Sequence, residues 1–586
     1  MKHEAFRERD ARVPSEGCPR SRWFRNFLIR QQNQEQRLDA AEWGTAAILT
    51  LTVLVLLAVQ SLSAGSLWRD ECGAAQLARM PAIADVINNF HFEAFPLLFP
   101  LIIRTMTNVF GTSDAVFRGF GFVVGVLVVC VLWLNAWLLT KKPPLLSLAL
   151  IGLNTTFLVW GTSVRGYGIG GALILLAFGQ IAKTLLEPTP RRFIFALIAS
   201  LLCVHCLLYN STLLAAICLG AMLVFLNRGD TPRALIILVI GVTAAISIIP
   251  YIGQYSAASH WNIVLKHEID FLWLWTKLTA AIGATAAPAV QISGEHVSLT
   301  SIVWQIVLIA VMAGGIWRLV KLRGEKPSPQ RDLILFAVTS ASAAALGYYI
   351  FLRILSYLTQ TWYYLALVML LAVSMELLFH NLIRTAALRR ARIWFVFLLI
   401  LVVPAAGWKE LRARHSNIDV IAQELEQNAQ PGDLIVLNPW YYGVTFNWYY
   451  KGTVPWITVP AVGDLRTHRY DMVKEKMVSE RPINDVKKAI SSVLQAGNYV
   501  WFVGGVQFPP SGQAPHILPA APNSQSGWLD GPYTDSWSEQ IGALLNEYET
   551  DVKQVQLPGI GIVNNFENVP LVVVSGVCLE AAKCLP

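Results

Sequence analysis

The chain has 586 residues, of which 54% are hydrophobic and only 14% are charged, and its formal net charge is +8. A soluble globular protein has roughly 25% charged residues, so this composition excludes an ordinary soluble enzyme over most of the length. The basic residues stand in short clusters between long apolar runs, which is typical of membrane proteins and argues against nucleic-acid binding. The sequence therefore predicts an integral membrane protein.

The first 42 residues carry eight arginines and no apolar core. This segment is too long and too mixed in charge for a signal peptide, so residues 1–42 are predicted to form a cytoplasmic, basic, partly disordered tail. Residues 43–408 hold the long apolar runs, and a helix needs about 20 such residues to cross the hydrocarbon core. About eleven transmembrane helices are predicted, at 43–63, 115–139, 145–164, 167–186, 193–210, 211–227, 234–252, 301–320, 333–352, 357–379 and 393–408.

Dense clusters of lysine and arginine follow alternate spans, and all of them fall on the side of the basic N-terminus. They are Lys141–Lys142, Arg191–Arg192, Arg228 with Arg233, and the basic runs at 321–331 and 384–392. Such clusters mark cytoplasmic loops. The pattern predicts a multi-pass protein of the plasma membrane (the inner membrane of a bacterium), with a cytoplasmic N-terminus and an extracytoplasmic C-terminal region.

Two long external loops are predicted, at 64–114 and 253–300, and loops of this length are often functional. Residues 94–110 are apolar enough to suggest a twelfth span. A single crossing there would move every later basic cluster to the outside, so we expect this segment to lie against or dip into the membrane. A true span with a compensating second crossing is the alternative.

Residues 409–586 read as a separate extracytoplasmic α/β domain, because helical and strand patterns alternate along them. Helices are predicted at 416–428, 484–496 and 536–549, and strands at 432–438, 498–505 and 570–577. Six tryptophans and tyrosines between 440 and 450 would pack at the membrane interface or stack on sugar rings. Cys578 and Cys584 could form a disulfide in an oxidising compartment, or stay free.

Several ionisable and phenolic residues are predicted to lie near the outer boundary of the membrane. In chain order these are Asp70, Glu71, His91, Glu93, Arg165, Tyr167, Arg353 and Tyr363. Each one alone is explained as well by a solvated loop or by a side chain that reaches for the interface. Together they predict a polar cavity, because ionisable groups at a membrane boundary are functional candidates.

A carboxylate beside cationic and phenolic groups suits transfer from a phosphate-activated donor whose lipid tail stays in the membrane. Asp70 would remove a proton from an acceptor hydroxyl as general base. Arginine and tyrosine side chains would hold the leaving phosphate. The pair Asp70 and Glu71 could also hold a divalent cation together with water, so the metal requirement stays open.

Short motifs in this order resemble the GT-C superfamily of polyprenyl-phosphate-sugar-dependent glycosyltransferases, in particular its protein O-mannosyltransferase-like and lipid A aminoarabinose transferase-like branches. The matching stretches are SLWRDECGAAQLARM, FHFEAFPLLFPLIIRTMTNVFG, VFRGFGFVVGVLVV, VRGYGIGGALILLA, TWYYLALVML and PGDLIVLNPWYYG. The likeness covers most of residues 43–450. It implies a GT-C-like fold and an inverting transfer of a sugar from a polyprenyl phosphate to a glycan, lipid or protein acceptor on the external side.

The resemblance also implies roles for individual residues. Asp70 takes the place of the catalytic aspartate, Glu71 the place beside it, and Glu93 that of the loop acid before a proline. No certain cofactor is implied, since relatives that use lipid-monophosphate donors often work without a metal.

This chain departs from the family pattern at two points. The stretch Glu93-Ala94-Phe95-Pro96 lacks a phosphate-binding lysine, and Trp362-Tyr363 stands where relatives have Arg-Tyr. Phosphate binding would then fall to other groups, the candidates being Arg165, Arg353, Tyr167, His91 and Tyr363.

Three other functions are alternatives to a glycosyltransferase. A lipid-linked sugar transporter usually shows repeated halves and charges near the middle of the membrane, and neither pattern is found in the sequence. A periplasmic glycan polymerase or ligase would be expected to lack the early Asp-Glu pair and the C-terminal domain. A non-catalytic scaffold is the third alternative.

Overall fold

The structure is a computed structural model that describes residues 19–578 except 94, 267–268, 284–288, 293–294, 384 and 522–528. The first twelve helices are α1 (Pro19–Ser63), α2 (Arg69–Ala78), α3 (Ile83–Asn89), α4 (Leu98–Phe110), α5 (Asp114–Leu139), α6 (Leu145–Gly152), α7 (Gly166–Leu186), α8 (Pro190–Cys206), α9 (Asn210–Asn227), α10 (Thr231–Ser247), α11 (Ile252–Ser259) and α12 (Phe271–Ile282). A hairpin of β1 (Ala289–Ile292) and β2 (Glu295–Ser298) precedes α13 (Leu299–Lys321), α14 (Pro329–Leu355), α15 (Leu365–Leu382), α16 (Ala386–Ala406) and α17 (Trp408–Leu411). The C-terminal region comprises α18 (Ile418–Asn428), β3 (Leu434–Leu437), α19 (Tyr442–Tyr449), β4 (Trp456–Thr458), α20 (Tyr470–Val478), α21 (Asn484–Gln495), β5 (Val500–Val503), α22 (Asp530–Asn546), β6 (Tyr548–Gln554) and β7 (Leu571–Cys578).

Eight helical segments of the described chain are long and apolar enough to cross a membrane, which confirms the predicted class of a polytopic α-helical membrane protein. Three predicted spans are not among the eight. The segment 145–164 is broken, because α6 ends at Gly152 and a π-helical turn follows at Phe157–Gly161. Helix α8 has only 17 residues, and α16 carries three arginines in its first two turns.

Helix α1 begins at Pro19, so the described part of the predicted basic tail, residues 19–42, is helical. The physical reason is a set of ion pairs with α16. Asp39 and Glu42 lie on one face of α1, and Arg389 contacts both of them. Arg392 adds a contact of 2.6 Å to Glu42. These pairs satisfy both sets of charges and favour continuation of the helix.

Helix α4 has 13 residues, which corresponds to a length of only about 20 Å. The hydrocarbon core is about 30 Å thick, so α4 is too short to cross it. This agrees with the prediction that 94–110 belongs to an external loop.

In the second predicted loop, residues 253–300, the apolar helical stretch that begins at Thr231 continues to Ser259. The short helix α12 and the β1–β2 hairpin follow it.

The C-terminal region contains one five-stranded sheet in the order β4-β3-β5-β7-β6. The strands β4, β3 and β5 run parallel, whereas β7 is antiparallel to both β5 and β6. This confirms the predicted α/β region. β4 was missed because it has only three residues and lies between Pro455 and Pro460, and β6 was missed because its sequence, YETDVKQ, is polar. Cys584 lies outside the described residues, and so does its possible bond to Cys578.

The membrane helices present two polar ends. At one end, Glu376 of α15 accepts hydrogen bonds from the backbone of Leu146 and Ser147 at the start of α6 and contacts Arg392 at 3.2 Å. At the other end, α1 terminates and α5, α7 and α15 begin. Helix α2 lies at this second end and packs on α19 of the C-terminal region, where Gln76 donates to the Val444 carbonyl at 3.0 Å. The second end therefore joins the two parts of the chain.

Candidate active site at the junction of the two regions

The first turn of α2 holds the predicted pair of carboxylates, and the helix gives them different surroundings. Glu71 stands at the third helical position, where its Oε2 accepts from the Trp68 backbone N–H at 3.2 Å. This is half of a capping box. Asp70 is not used in the cap. Because neighbouring residues on a helix are about 100° apart, the two side chains leave α2 in different directions.

Glu71 is fully buried, and protein groups occupy its oxygens. Arg118 binds both of them, at 2.8 and 3.0 Å. His415 Nδ1 lies 3.1 Å from Oε2, and the Val164 N–H donates to Oε1 at 2.8 Å. Burial raises the pKa of Glu71, but Arg118 and His415 outweigh it and lower the pKa well below its usual value. Glu71 is therefore arranged as an anchor that ties α2, α5 and the linker before α18 together.

The side chain of Asp70 is 20% exposed and faces two guanidinium groups and one imidazole. The distances to its oxygens are 3.5 Å from Arg69 Nε, 3.6 Å from His468 Nε2 and 4.0 Å from Arg165 Nη2. All three exceed the length of a charged hydrogen bond, so the carboxylate is surrounded by charge and is not occupied. Burial raises the pKa of Asp70, but Arg165, His468 and Arg69 outweigh it and lower the pKa. Asp70 is therefore an ionised acceptor with room for a ligand.

Glu93 positions the groups around Asp70. Its Oε2 accepts from Arg165 at 2.7 Å, and its Oε1 lies 2.8 Å from His468 Nδ1. Arg165 also donates to the Asp70 carbonyl at 2.9 Å and lies over the ring of Phe95, 4.4 Å from its centroid. Glu93 thus holds one cation from the membrane helices and one imidazole from the C-terminal region.

The contact between Glu93 and α2 depends on Gly73. A Cβ at this position would lie 2.4 Å from Oε1 of Glu93. We expect Gly73→Ala to displace the carboxylate and lower turnover by about 100-fold, the effect of a misplacement of about 1 Å. Gly119→Ala in α5, where a Cβ meets nothing within 4 Å, is the matched control. Equal turnover of the two variants in a transfer assay, with equal melting temperatures, would exclude this role of Gly73.

Three buried side-chain nitrogen atoms next to Asp70 lack a hydrogen-bond partner in the described part of the chain. They are Nε of Arg69, Nε of Arg165 and Nε2 of His468. A buried polar group without a partner costs about 1–3 kcal/mol. Such groups in one place indicate a site that an anionic or polar ligand completes.

The predicted tyrosines lie beside Arg165. The rings of Tyr167 and Tyr363 are 5.7 Å apart, and Tyr167 packs at 5.5 Å on Phe95, the ring under Arg165. Tyr209 is 5.9 Å from Tyr363 and extends this wall along the membrane helices. The structure therefore brings together Asp70, Glu93, Arg165, Tyr167 and Tyr363.

Two of the predicted residues lie elsewhere. Arg353 is exposed at the end of α14 and donates to the backbone carbonyl of Ile269. His91 packs on Phe92 with ring centroids 4.2 Å apart, and burial lowers its pKa. Neither has a described contact with Asp70.

A cation shared by Asp70 and Glu71 does not fit this geometry, because the oxygens of Glu71 are filled by Arg118 and His415. Within the described ranges, no group of three His, Cys, Asp or Glu side chains could hold a metal ion. The divalent cation considered from the sequence stays an untested prediction.

Sequence reasoning missed His468, although it completes the site. The residue lies in an irregular segment just before α20, and 375 positions separate it from Glu93 in the chain. No local motif marks it. A dense set of aromatic residues after β3 was the available signal that the C-terminal region meets the site, and Tyr441 of this set does lie under Arg69, with the guanidinium 4.5 Å from its ring.

No protein-family model matches the chain, and no curated protein matches it in sequence. Among solved structures, ArnT from Cupriavidus metallidurans bound to undecaprenyl phosphate is similar at 12% identity and a TM-score of 0.45, with 78% of this chain and 93% of that chain covered. An Archaeoglobus fulgidus oligosaccharyltransferase with a tethered acceptor peptide is similar at 12% identity and a TM-score of 0.42, over 79% of this chain and 69% of that one. Similarity at this level identifies neither the reaction nor the substrates of this chain.

Proposed function

We propose that the protein is a glycosyltransferase that moves a sugar from a polyprenyl-phosphate donor to an acceptor on the extracytoplasmic face, with inversion. The observation that carries the proposal is the setting of Asp70. It is an ionised, partly accessible carboxylate at the end of the membrane helices. Arg69, Arg165 and His468 each place next to it a buried nitrogen atom that has no hydrogen-bond partner in the described chain. This arrangement supplies a proton acceptor and an anion site within one chamber.

The chemistry follows from these groups. The acceptor oxygen forms a bond to the anomeric carbon as the bond between that carbon and the phosphate oxygen breaks. Asp70 accepts the proton of the attacking hydroxyl as general base. Arg69 and Arg165 stabilise the negative charge that grows on the leaving phosphate, and this stabilisation is strong in a site that is shielded from water.

The position of the chamber supports a lipid-linked donor. Tyr167 belongs to the membrane helix α7, and Tyr363 belongs to the short segment that leads into the membrane helix α15. The two rings are in contact and lie on the side of Arg165 that faces these helices. A phosphate at Arg165 would therefore lie at the membrane boundary, where an attached polyprenyl tail stays in the hydrocarbon. His468 and Tyr441 lie on the opposite side, toward the C-terminal region, which leaves that side for the acceptor.

The direct test is a transfer assay with the purified full chain in lipid vesicles. A panel of polyprenyl-phosphate sugars is offered with glycan, lipid and peptide acceptors, and products are identified by mass spectrometry. We expect one donor to yield a glycosylated product and free polyprenyl phosphate. Movement of the intact donor across the vesicle membrane without any product would contradict the proposal and favour a transporter. Joining of preformed lipid-linked glycans without use of a monophosphate donor would favour a polymerase or ligase.

Arg165 gives a second test. We expect Arg165→Ala to raise the donor KM by about 10- to 100-fold, since a hydrogen bond to a charged group contributes about 1.5–3 kcal/mol. The acceptor KM should change much less, because Arg165 lies on the membrane side of Asp70. Arg466→Ala, which removes an arginine that is 51% exposed in the C-terminal region, is the control. Equal effects on donor and acceptor KM would contradict the donor role of Arg165.

A further inference from the structure

His468 lies between two carboxylates that come from distant parts of the chain. Its Nδ1 is 2.8 Å from Oε1 of Glu93, and its backbone N–H donates to the same oxygen at 3.2 Å. Its Nε2 is 3.6 Å from Oδ1 of Asp70. The imidazole side chain is only 8% exposed. The ring is therefore fixed by Glu93 and directed toward the carboxylate that the proposed reaction uses.

The hydrogen bonds of Glu93 determine which ring nitrogen carries the proton. Glu93 acts as a carboxylate, because its other oxygen accepts from Arg165 at 2.7 Å. An ionised carboxylate can only accept, so Nδ1 of His468 is the protonated nitrogen. Nε2 is then the ring atom left for another partner, and the described residues provide none. A neutral ring would turn a lone pair toward the anionic Asp70, which is stable only with a proton or a hydroxyl group between them.

Asp70 also needs a partner for the proton that it would accept. The cations around it lower its pKa, although burial opposes them. A general base works best when its pKa is near the operating pH, so Asp70 alone would hold a proton poorly. Histidine is the side chain that takes up and releases protons near neutral pH. The ring of His468 is placed to take the proton onward from Asp70.

We propose that His468 is a second proton-handling residue, which shares with Asp70 the proton that leaves the acceptor. The inference rests on the proposed function. As the acceptor oxygen bonds to the anomeric carbon and the phosphate leaves, the hydroxyl proton moves to Asp70 and then to Nε2 of His468. The imidazolium formed is balanced by Glu93 through Nδ1–H. Release of the proton to water or to the departing phosphate restores the neutral ring.

Glu93 has a matching role in this inference. It is a positioning residue, because it orients His468 and Arg165 and does not itself face Asp70. The arrangement resembles other sites in which a carboxylate fixes the tautomer of a histidine and stabilises the imidazolium. Here Glu93 comes from the predicted external loop 64–114, Asp70 comes from α2, and His468 comes from the C-terminal region.

The first experiment compares His468→Asn with His468→Gln in the full-length protein. Asparagine can keep a donor near the place of Nδ1 and so retain the contact with Glu93, but it has no group at the place of Nε2. Glutamine can place a polar group near the position of Nε2 but cannot keep the donor at the position of Nδ1. We expect kcat to fall by about 100-fold or more in both variants, since general acid-base catalysis contributes about 10²- to 10⁴-fold. The donor KM should stay within about threefold in His468→Asn, since Arg165 keeps its partner.

The pH profile separates catalysis from a structural role. The relay requires a neutral ring, so the wild-type kcat should fall as the pH is lowered and the ring becomes protonated. This acid limb should be absent in His468→Asn. The charged or titratable groups around the ring are Arg69, Asp70, Glu93, Arg165 and the stacked Tyr470. Full turnover of His468→Asn, or an unchanged acid limb in it, would overturn the relay.

A second measurement does not depend on transfer. Nitrogen-15 labelling of the ten histidines gives ring resonances, and the one lost in His468→Asn identifies this residue. We expect Nδ1 to be protonated and Nε2 to titrate, with the midpoint about one pH unit lower in Asp70→Asn, because the neighbouring anion is removed. An unchanged midpoint would overturn the shared proton even if transfer is observed. Failure of the wild type to transfer any sugar, with the midpoint shifted as expected, would instead contradict the proposed function.

Discussion

Asp70→Asn is expected to lower sugar transfer by about 10²- to 10⁴-fold without unfolding the protein. The amide has the size of the carboxylate but cannot accept the acceptor proton, and general base catalysis contributes a factor of this order. The fold should persist because the oxygens of Asp70 are 3.5–4.0 Å from the nitrogen atoms of Arg69, His468 and Arg165, so no short ion pair is broken. The measurement is kcat at saturating donor and acceptor, together with the melting temperature of each purified protein.

A matched control for this variant is Asp485→Asn. Asp485 is a surface aspartate of the C-terminal region, 48% exposed and paired with Lys476 at 2.8 Å. The variant Asp485→Asn loses the same charge at a position that is distant in sequence from the membrane helices. We expect its turnover to equal that of the wild type. Turnover of Asp70→Asn close to that of Asp485→Asn would remove Asp70 from the mechanism. A lower melting temperature in Asp70→Asn alone would instead give Asp70 a structural role.

Glu71→Gln is expected to have the opposite character, with a large loss of stability. The neutral amide leaves the guanidinium of Arg118 buried without its counter-charge, and Arg118 is only 8% exposed. Removing one partner of a buried pair typically costs about 3–5 kcal/mol. Thermal unfolding should therefore shift to a clearly lower temperature in Glu71→Gln. The pKa of Glu71 is lowered in the folded state, so the pair contributes fully above about pH 5 and loses its contribution only as the pH falls into the acid range.

The comparison that isolates burial is Glu187→Gln at the end of α7. Glu187 also pairs with two cations, Lys183 at 2.7 Å and Arg192 at 2.9 Å, but its side chain is 48% exposed. We expect its melting temperature to stay close to that of the wild type, since an exposed carboxylate contributes little to its ion pairs. Lys183, whose side chain is 8% exposed, still donates to the Leu138 carbonyl at 3.4 Å. If Glu71→Gln and Glu187→Gln both unfold near the wild-type melting temperature, the buried network at Glu71 does not stabilise the contact between α2, α5 and the linker before α18.

Asp70 and Glu71 are neighbours in one helical turn, but their side chains have different surroundings and different expected roles. Both follow the first span, and both sit in the first turn of α2. Glu71 points toward α5 and the linker, where Arg118 balances its charge and His415 contacts it. Asp70 points toward Glu93 and the C-terminal region, where the charges surround it at longer distances. Anchoring one acid in this way keeps the other at a constant place in the chamber.

Local patterns in the amino-acid sequence were sufficient to predict the class of the protein, most of its spans and the main strands of the C-terminal region. These are local properties, because hydrophobicity over about 20 residues decides membrane insertion and a short apolar run marks a buried strand. The same reasoning predicted that residues 94–110 do not form a single crossing, and the 13-residue length of α4 agrees with this. It also placed Asp70, Glu93, Arg165, Tyr167 and Tyr363 at one boundary, and these residues do lie together.

Which of these groups meet, and in what orientation, depends on how distant segments of the chain pack together. Arg353 stands at the end of a helix as predicted, but the rotation of α14 directs it to the Ile269 carbonyl. His415 and His468 reach the site from more than 340 positions away along the chain. Contacts of this kind are set by the packing of the C-terminal region on α2, and no local pattern encodes them. Composition and periodicity reveal where a chain is buried, whereas the distances and charges that make a site arise only when distant segments are packed together.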